Sequence, residues 1–297
     1  MLPFRPIVIE DKPAAEEIFR QEPARVTERC FADLFLWRRR YRTQIAFQDG
    51  FLYVLSLAGD GKNLYYLFPP GKGDRLAALD QIAQDAAERG ASYRIYGCTP
   101  TQKEQVETLA PGRYRFTEDR DNFDYIYRRE DLAELKGKKY HAKRNFINRF
   151  LQEHEGQWRY EPLDPNRHSD SILALHRLWC QRRPDGAGAA EGCAVRQALE
   201  YFEALEMRGG VLYLRGEATA FSMGCLAGDT LTVQIEKATA DIPGAYPMIN
   251  REFIVHAGTD FDYVNREEDM GIEGLRKAKL SYRPTELSVK YLLEPLL

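Results

Sequence analysis

The 297-residue chain carries 42 Lys and Arg against 45 Asp and Glu, a formal charge of −3, with 44% hydrophobic and 29% charged residues. This is the composition of a soluble globular protein long enough for two ordinary cores, and only clustered charge can speak about partners. No apolar run approaches the roughly 20 residues that span a bilayer, and the start, MLPFRPIVIEDKP, lacks a signal-peptide core.

Cys30, Cys98, Cys180, Cys193 and Cys225 are odd in number and scattered, which fits reduced thiols and a cytoplasmic protein rather than a disulfide framework. Neither CxxC nor HExxH spacing occurs, so no metal is expected.

In the first half, Asp11 with Pro13 predicts a capped helix running to about Arg20. The spacing of Cys30, Phe31, Leu34, Phe35 and Trp37 predicts a second helix. Strands at Thr43–Gln48 and Phe51–Leu57 flank Asp49-Gly50, a hairpin signal. A strand at Leu64–Phe68 leads through Pro69-Pro70-Gly71-Lys72-Gly73 into a helix with the apolar set Leu76, Leu79, Ile82, Ala83 and Ala86, ended by Gly90. A strand at Tyr93–Tyr96, a helix after Pro100 and a strand pair at Tyr114–Phe116 and Phe123–Tyr127 complete this half.

The second half predicts helices at Tyr140–Glu155, Pro165–Arg182 and Val195–Met207, then a meander at Val211–Arg215, Ala218–Ala227 and Thr230–Lys237. A helix at Pro247–Ala257, a strand at Phe261–Val264, a helix at Gly271–Ser281 and a strand at Glu286–Leu292 follow. This is the element order of a GNAT-type acyltransferase fold. The expected architecture is α+β: two tandem GNAT-like domains, residues 1–128 and 129–297, with mixed sheets and an inter-domain cleft, the active site being in the second.

Two segments carry candidate chemistry. KGKKYHAKRNFINRF puts Lys139, Lys143 and Arg144 on a basic helix side, with Phe146 and Phe150 near the other. Near the end, DFDYVNREEDMGIEGLRKAKLSYRP gathers Asn265, Arg266, Glu267 and Asp269 between a strand and a helix holding Arg276, Lys277 and Lys279, with Arg283 before Pro284. Charges of both signs at such a junction are costly to bury, and the junction is where α/β folds usually bind ligands.

Together these segments resemble the C-terminal catalytic domain of lysylphosphatidylglycerol synthases and their stand-alone relatives. CFADLFLWRRRYRTQIAFQDGFLYVL resembles the opening of the same family, and the likeness extends more distantly to Fem-type transferases. The resemblance implies two GNAT-like domains with a cleft between them. It places Lys139, Lys143 and Arg144 beside that cleft, and Asp269, Gly271, Arg276, Lys277 and Lys279 in the motif of the active half. The chain lacks the large membrane-embedded portion of the full synthases.

The expected activity is aminoacyl or acyl transfer, with aminoacyl-tRNA as donor and an amine or hydroxyl, such as a lipid head group, as acceptor. No cofactor is expected, and contact with membrane would be peripheral. Glu236, Asp269 or Glu267 is the candidate base, and Arg266, Arg276, Lys277 or Lys279 could receive developing charge or a substrate phosphate. The alternatives are an acetyl-CoA-dependent N-acetyltransferase, through Gly244 or Gly71-Lys72-Gly73 as the pyrophosphate loop, and a non-catalytic RNA- or partner-binding module.

Overall fold

The computed structural model describes residues 1–57, 63–181 and 188–296. The elements run β1 (Arg5–Pro6), α1 (Lys12–Gln21), α2 (Phe31–Leu36), α3 (Arg38–Tyr41), β2 (Gln44–Gln48), β3 (Phe51–Ser56), β4 (Asn63–Leu67), α4 (Arg75–Glu88), β5 (Ser92–Cys98), α5 (Pro100–Leu109) and β6 (Tyr114–Glu118). They continue with β7 (Asp124–Arg128), α6 (Arg129–Glu134), α7 (His141–Glu153), β8 (Trp158–Pro162), α8 (Pro165–Gln181), α9 (Gly188–Glu200), β9 (Arg208–Leu214), β10 (Glu217–Ala227) and β11 (Thr230–Ala238). The last are α10 (Ala245–His256), β12 (Tyr263–Asn265), α11 (Glu273–Leu280), β13 (Glu286–Ser288) and β14 (Tyr291–Pro295). Arg182, the expected end of one helix, lies outside the described residues.

The chain divides into two compact units, one of residues 1–124, 268–272 and 287–297, the other of 125–267 and 273–286. In the first unit the sheet order is β1-β2-β3-β4-β5-β14-β6. Asp49 and Gly50 both take left-handed backbone, φ 51° and 81°, the turn whose twist matches an antiparallel pair. Leu79, Ile82 and Ala86 of α4, spaced at helical intervals, bury one face against Tyr53, Tyr66, Ile95 and Leu293. Asp85 is fully buried within that helix and is satisfied by the backbone N–H of Leu2, the Tyr66 hydroxyl and Arg89.

The second sheet has the order β13-β7-β12-β11-β10-β9-β8. β9, β10 and β11 form the expected meander, and β12 joins β11 in parallel at Thr230↔Tyr263, Leu231↔Val264 and Thr232↔Asn265. Phe221, Met223, Leu231, Met248, Ile249 and Phe253 are buried in this unit.

Several local expectations change, among them the helix expected at Val195–Met207, which runs Gly188–Glu200. Tyr114–Glu118 and Asp124–Arg128 are not a pair: β6 bonds to β14 and β7 to β12, so adjacent segments enter different sheets. The terminal strand is two, β13 and β14, and β14 lies between β5 and β6. Asp11 does not cap α1, because its carboxylate accepts from Arg5 at 2.9 Å and from Val8 N at 2.8 Å. Phe146 is exposed; Ile147 and Phe150 make the buried face of α7.

Leu293 is fully buried on β14, between β5 and the edge strand β6 of the first sheet. Leu293→Ala is expected to cost about 2–5 kcal/mol, whereas Leu296→Ala, at an exposed position, should change little. Urea denaturation of the two variants checks this.

Candidate active site

β11 runs to Ala238, but β12 stays bonded to it only as far as Thr232↔Asn265. Beyond that point the two parallel strands part at their carboxyl ends, the usual place for ligands in such sheets. Glu236 lies on the free end of β11, and Arg266 follows directly after β12. Arg266 Nη2 donates to Glu236 Oε1 at 2.8 Å, with side chains only 14% and 10% exposed. Glu236 Oε2 accepts from Asn250 Nδ2 of α10 at 3.0 Å.

Aromatic rings complete the setting. The Arg266 guanidinium lies 4.9 Å from the Tyr282 ring centre and 5.9 Å from that of Tyr127. Lys143 of α7 places its ammonium 4.0 Å from the Tyr282 centroid. Burial, and then the Arg266 charge, push Lys143 down to about 8, with Glu236 opposing. Ser222 of β10 stands directly across the ladder from Glu236 and is fully buried. Among the described residues, Arg266 Nη1, Ser222 Oγ and Asn250 Oδ1 are buried without a hydrogen-bond partner. Such a group of unspent donors and acceptors around one ion pair is the signature of a ligand site.

The other candidates have separate places. Asn265 is buried, and its Oδ1 accepts from Glu267 N at 2.7 Å, shaping the turn in which Glu267 takes φ 57°. Lys279 is buried and donates to the carbonyls of Arg266 and Glu267, so it holds the Arg266 loop from behind. Asp269 belongs to the first unit, fully buried, where it accepts from Arg120 at 3.1 Å and from Gly271 N at 2.9 Å. Arg276 is half-buried on α11, while Lys277 and Arg283 are exposed.

Nor do the basic residues form one strip. Lys139 sits on the 3-10 turn before α7 and pairs with Asp131 at 3.1 Å. Arg144 donates to the carbonyls of Leu135 and Gly137. Tyr282, Asn250, Ser222 and Tyr127 were not singled out from the sequence; of these, only Tyr282 lies within a noted motif, LSYRP.

Both candidate pyrophosphate loops are filled by the chain itself. A Cβ on Gly244 would lie 2.7 Å from the Phe146 carbonyl, so this turn packs onto α7. Asp74 accepts from Leu76 N and Ala77 N, taking up the amides that open α4. Among the described residues no group of three or more His, Cys, Asp or Glu could hold a metal.

The two mixed sheets define a tandem GNAT-like α+β protein. A tandem GNAT protein from the clavulanic acid biosynthesis pathway superposes with TM-score 0.51 at 9% identity, over 99% of this chain and 98% of that one. The chain belongs to the family described as phosphatidylglycerol lysyltransferase, C-terminal, which matches residues 19–294. A conserved protein of unknown function from Bacteroides thetaiotaomicron is similar at 40% identity and TM-score 0.93, over 100% of both chains. The C-terminal domain of a putative lysylphosphatidylglycerol synthetase from Agrobacterium fabrum is similar at 16% identity and TM-score 0.67, over 96% of this chain and 91% of that one. A comparison with curated proteins returns no match. Among the described residues no helix is long and apolar enough to cross a membrane.

Glu236→Ala is expected to destabilise by about 3–5 kcal/mol, because it leaves the Arg266 charge buried alone. Glu236→Leu with Arg266→Met should recover most of that loss. Guanidinium melts of the single and double variants provide the measurement.

Proposed function

We propose that the protein is an aminoacyltransferase whose reacting groups meet at Glu236, Arg266 and Lys143. The donor is aminoacyl-tRNA, and the acceptor is an amine or hydroxyl such as a lipid head group. The observation that carries this reading is the set of unspent buried polar atoms around the Glu236–Arg266 pair, with a lysine of lowered proton affinity beside it. Family membership supplies the reaction class.

Neutral Lys143 takes a proton from the acceptor as its nitrogen or oxygen attacks the ester carbonyl of the donor. Arg266 donates through its unused Nη1 to the oxyanion that develops, and Glu236 holds the guanidinium in that direction. As the ester C–O bond breaks, Lys143 returns the proton to the departing ribose oxygen. The new amide or ester forms with no net proton change between the two oxygens or nitrogens and the lysine. Asp269 is assigned a positioning role, fixing its loop through Arg120 and Gly271 N. Asn265, Glu267 and Lys279 shape the turn that carries Arg266, while the exposed Lys277 and Arg283 supply contacts with the donor's phosphates.

The packing of Gly244 against α7 and the capping of α4 by Asp74 argue against acetyl-CoA as donor. Incubation with amino-acid-labelled total tRNA and anionic phospholipid vesicles tests the reading. Label should move to the acceptor fraction, and Arg266→Met should cut the rate by roughly 10²-fold or more. Hydrolysis of acetyl-CoA with no loss of tRNA-bound label, or full transfer by Arg266→Met, would overturn it. Binding of tRNA should also weaken steeply with salt, and more weakly so in Lys277→Ala.

The pH dependence has a definite sign. The base is the neutral amine of Lys143, of which roughly a tenth is present at pH 7 for a group titrating near 8. The transfer rate should therefore climb as pH rises through about 8 and level above it. Lys143→Met should lose that limb of the profile.

A further inference from the structure

The first unit contains a cavity of about 430 Å³ built wholly from its own residues. One wall is the first sheet, where Ser56, Tyr65, Tyr96 and Leu292 lie on four neighbouring strands, β3, β4, β5 and β14. The opposite wall comes from the α2–α3 segment, whose Asp33, Trp37 and Tyr41 recur every four residues and so share one side. Trp37 and Tyr41 have ring centroids 6.4 Å apart. Glu28, Glu268 and Lys290 close the polar end.

The cations that line this cavity already have partners. Lys290, 2% exposed, is already held by Glu28 at 2.8 Å and by Asp124 at 3.0 Å. Arg94 is engaged by Glu294 at 2.8 Å and lies 3.4 Å from the Tyr65 hydroxyl. The two cations that reach the cavity are thus committed to other carboxylates. Among the described residues no hydrogen bond reaches the Asp33 carboxylate. Burial first, and then Glu268, Cys30 and Glu28, raise its proton affinity, with Lys290 opposing. A carboxylate in this position gains most from a bound positive charge, and aromatic walls suit an organic cation better than a hydrated metal ion.

We propose that this cavity binds a small primary amine, its ammonium hydrogen-bonded to Asp33 and its carbon body against Trp37, Tyr41 and Tyr96. The site is separate from the transferase reading and does not depend on it. A protonated amine beside Asp33 favours the carboxylate over the carboxyl form, so any proton the carboxyl holds is given up on binding. The aromatic rings take the apolar body, which is why a matched alcohol should bind only through that part.

Titration calorimetry of the full chain with phenethylamine, in two buffers of different ionisation heat, tests the proposal, with 2-phenylethanol as the uncharged match. The amine should bind saturably, at least about tenfold tighter than the alcohol, any proton linked to binding being released rather than taken up. Asp33→Asn should weaken the amine by about tenfold or more and abolish any proton release, leaving the alcohol unchanged. Trp37→Ala, which keeps the charge, should weaken amine and alcohol alike, and it decides the matter if Asp33→Asn fails to fold. Equal affinity for amine and alcohol, unaltered amine binding in the variants, or no saturable heat up to about 10 mM would overturn the proposal.

Discussion

β11 and β12 are bonded through only three residue pairs, and the rest of the second unit's chemistry depends on how the parting beyond them is bridged. An ion pair spans it, and bringing two charges out of water is repaid only by good geometry and by further hydrogen bonds. Here the repayment comes from Asn250 on Glu236, from the rings of Tyr127 and Tyr282 around Arg266, and from Lys279 gripping the carbonyls of the Arg266 loop. The same arrangement depresses Lys143, first by burying it and then because a second cation near Arg266 is disfavoured, with Glu236 compensating only in part. Structure and reactivity thus have one electrostatic origin.

The first unit handles buried charge differently. Around Lys290 the balance is complete enough to raise the proton affinity of the lysine despite full burial, through Asp124 and Glu28. A few residues away, at Asp33, Lys290 offsets burial and the neighbouring acids only in part. The contrast within one unit separates a charge cluster that holds the fold from one that faces a cavity.

Much of this was legible in the chain. The Asp49-Gly50 turn, the three-strand meander and the apolar spacing of α4 are local patterns, and the element order they give is that of the observed fold. The motif near the end was legible as a charged strand-to-helix junction, but not its division of labour. Asn265 and Arg266 belong to one unit and Asp269 to the other, although they are separated by only a few residues. Periodicity placed Lys139, Lys143 and Arg144 on one helix side, whereas Lys139 lies on the turn before α7, Arg144 is taken up by two carbonyls and Lys143 stands over a ring. Helical spacing fixes direction; it does not reveal which acceptors another element brings within reach.

The sequence by itself determined most of the elements and their order, because turns and periodicity are encoded within a few neighbouring residues, and its two charged motifs carried the family resemblance. Tertiary structure alone decided that β14 enters the sheet between β5 and β6, that β6 and β7 part company, and that Ser222, Asn250 and Tyr282 meet Glu236, Arg266 and Lys143. Those outcomes rest on hydrogen bonds and burial between residues far apart in the chain, and the shifted proton affinity of Lys143 is a property of that assembled surrounding and of no local segment.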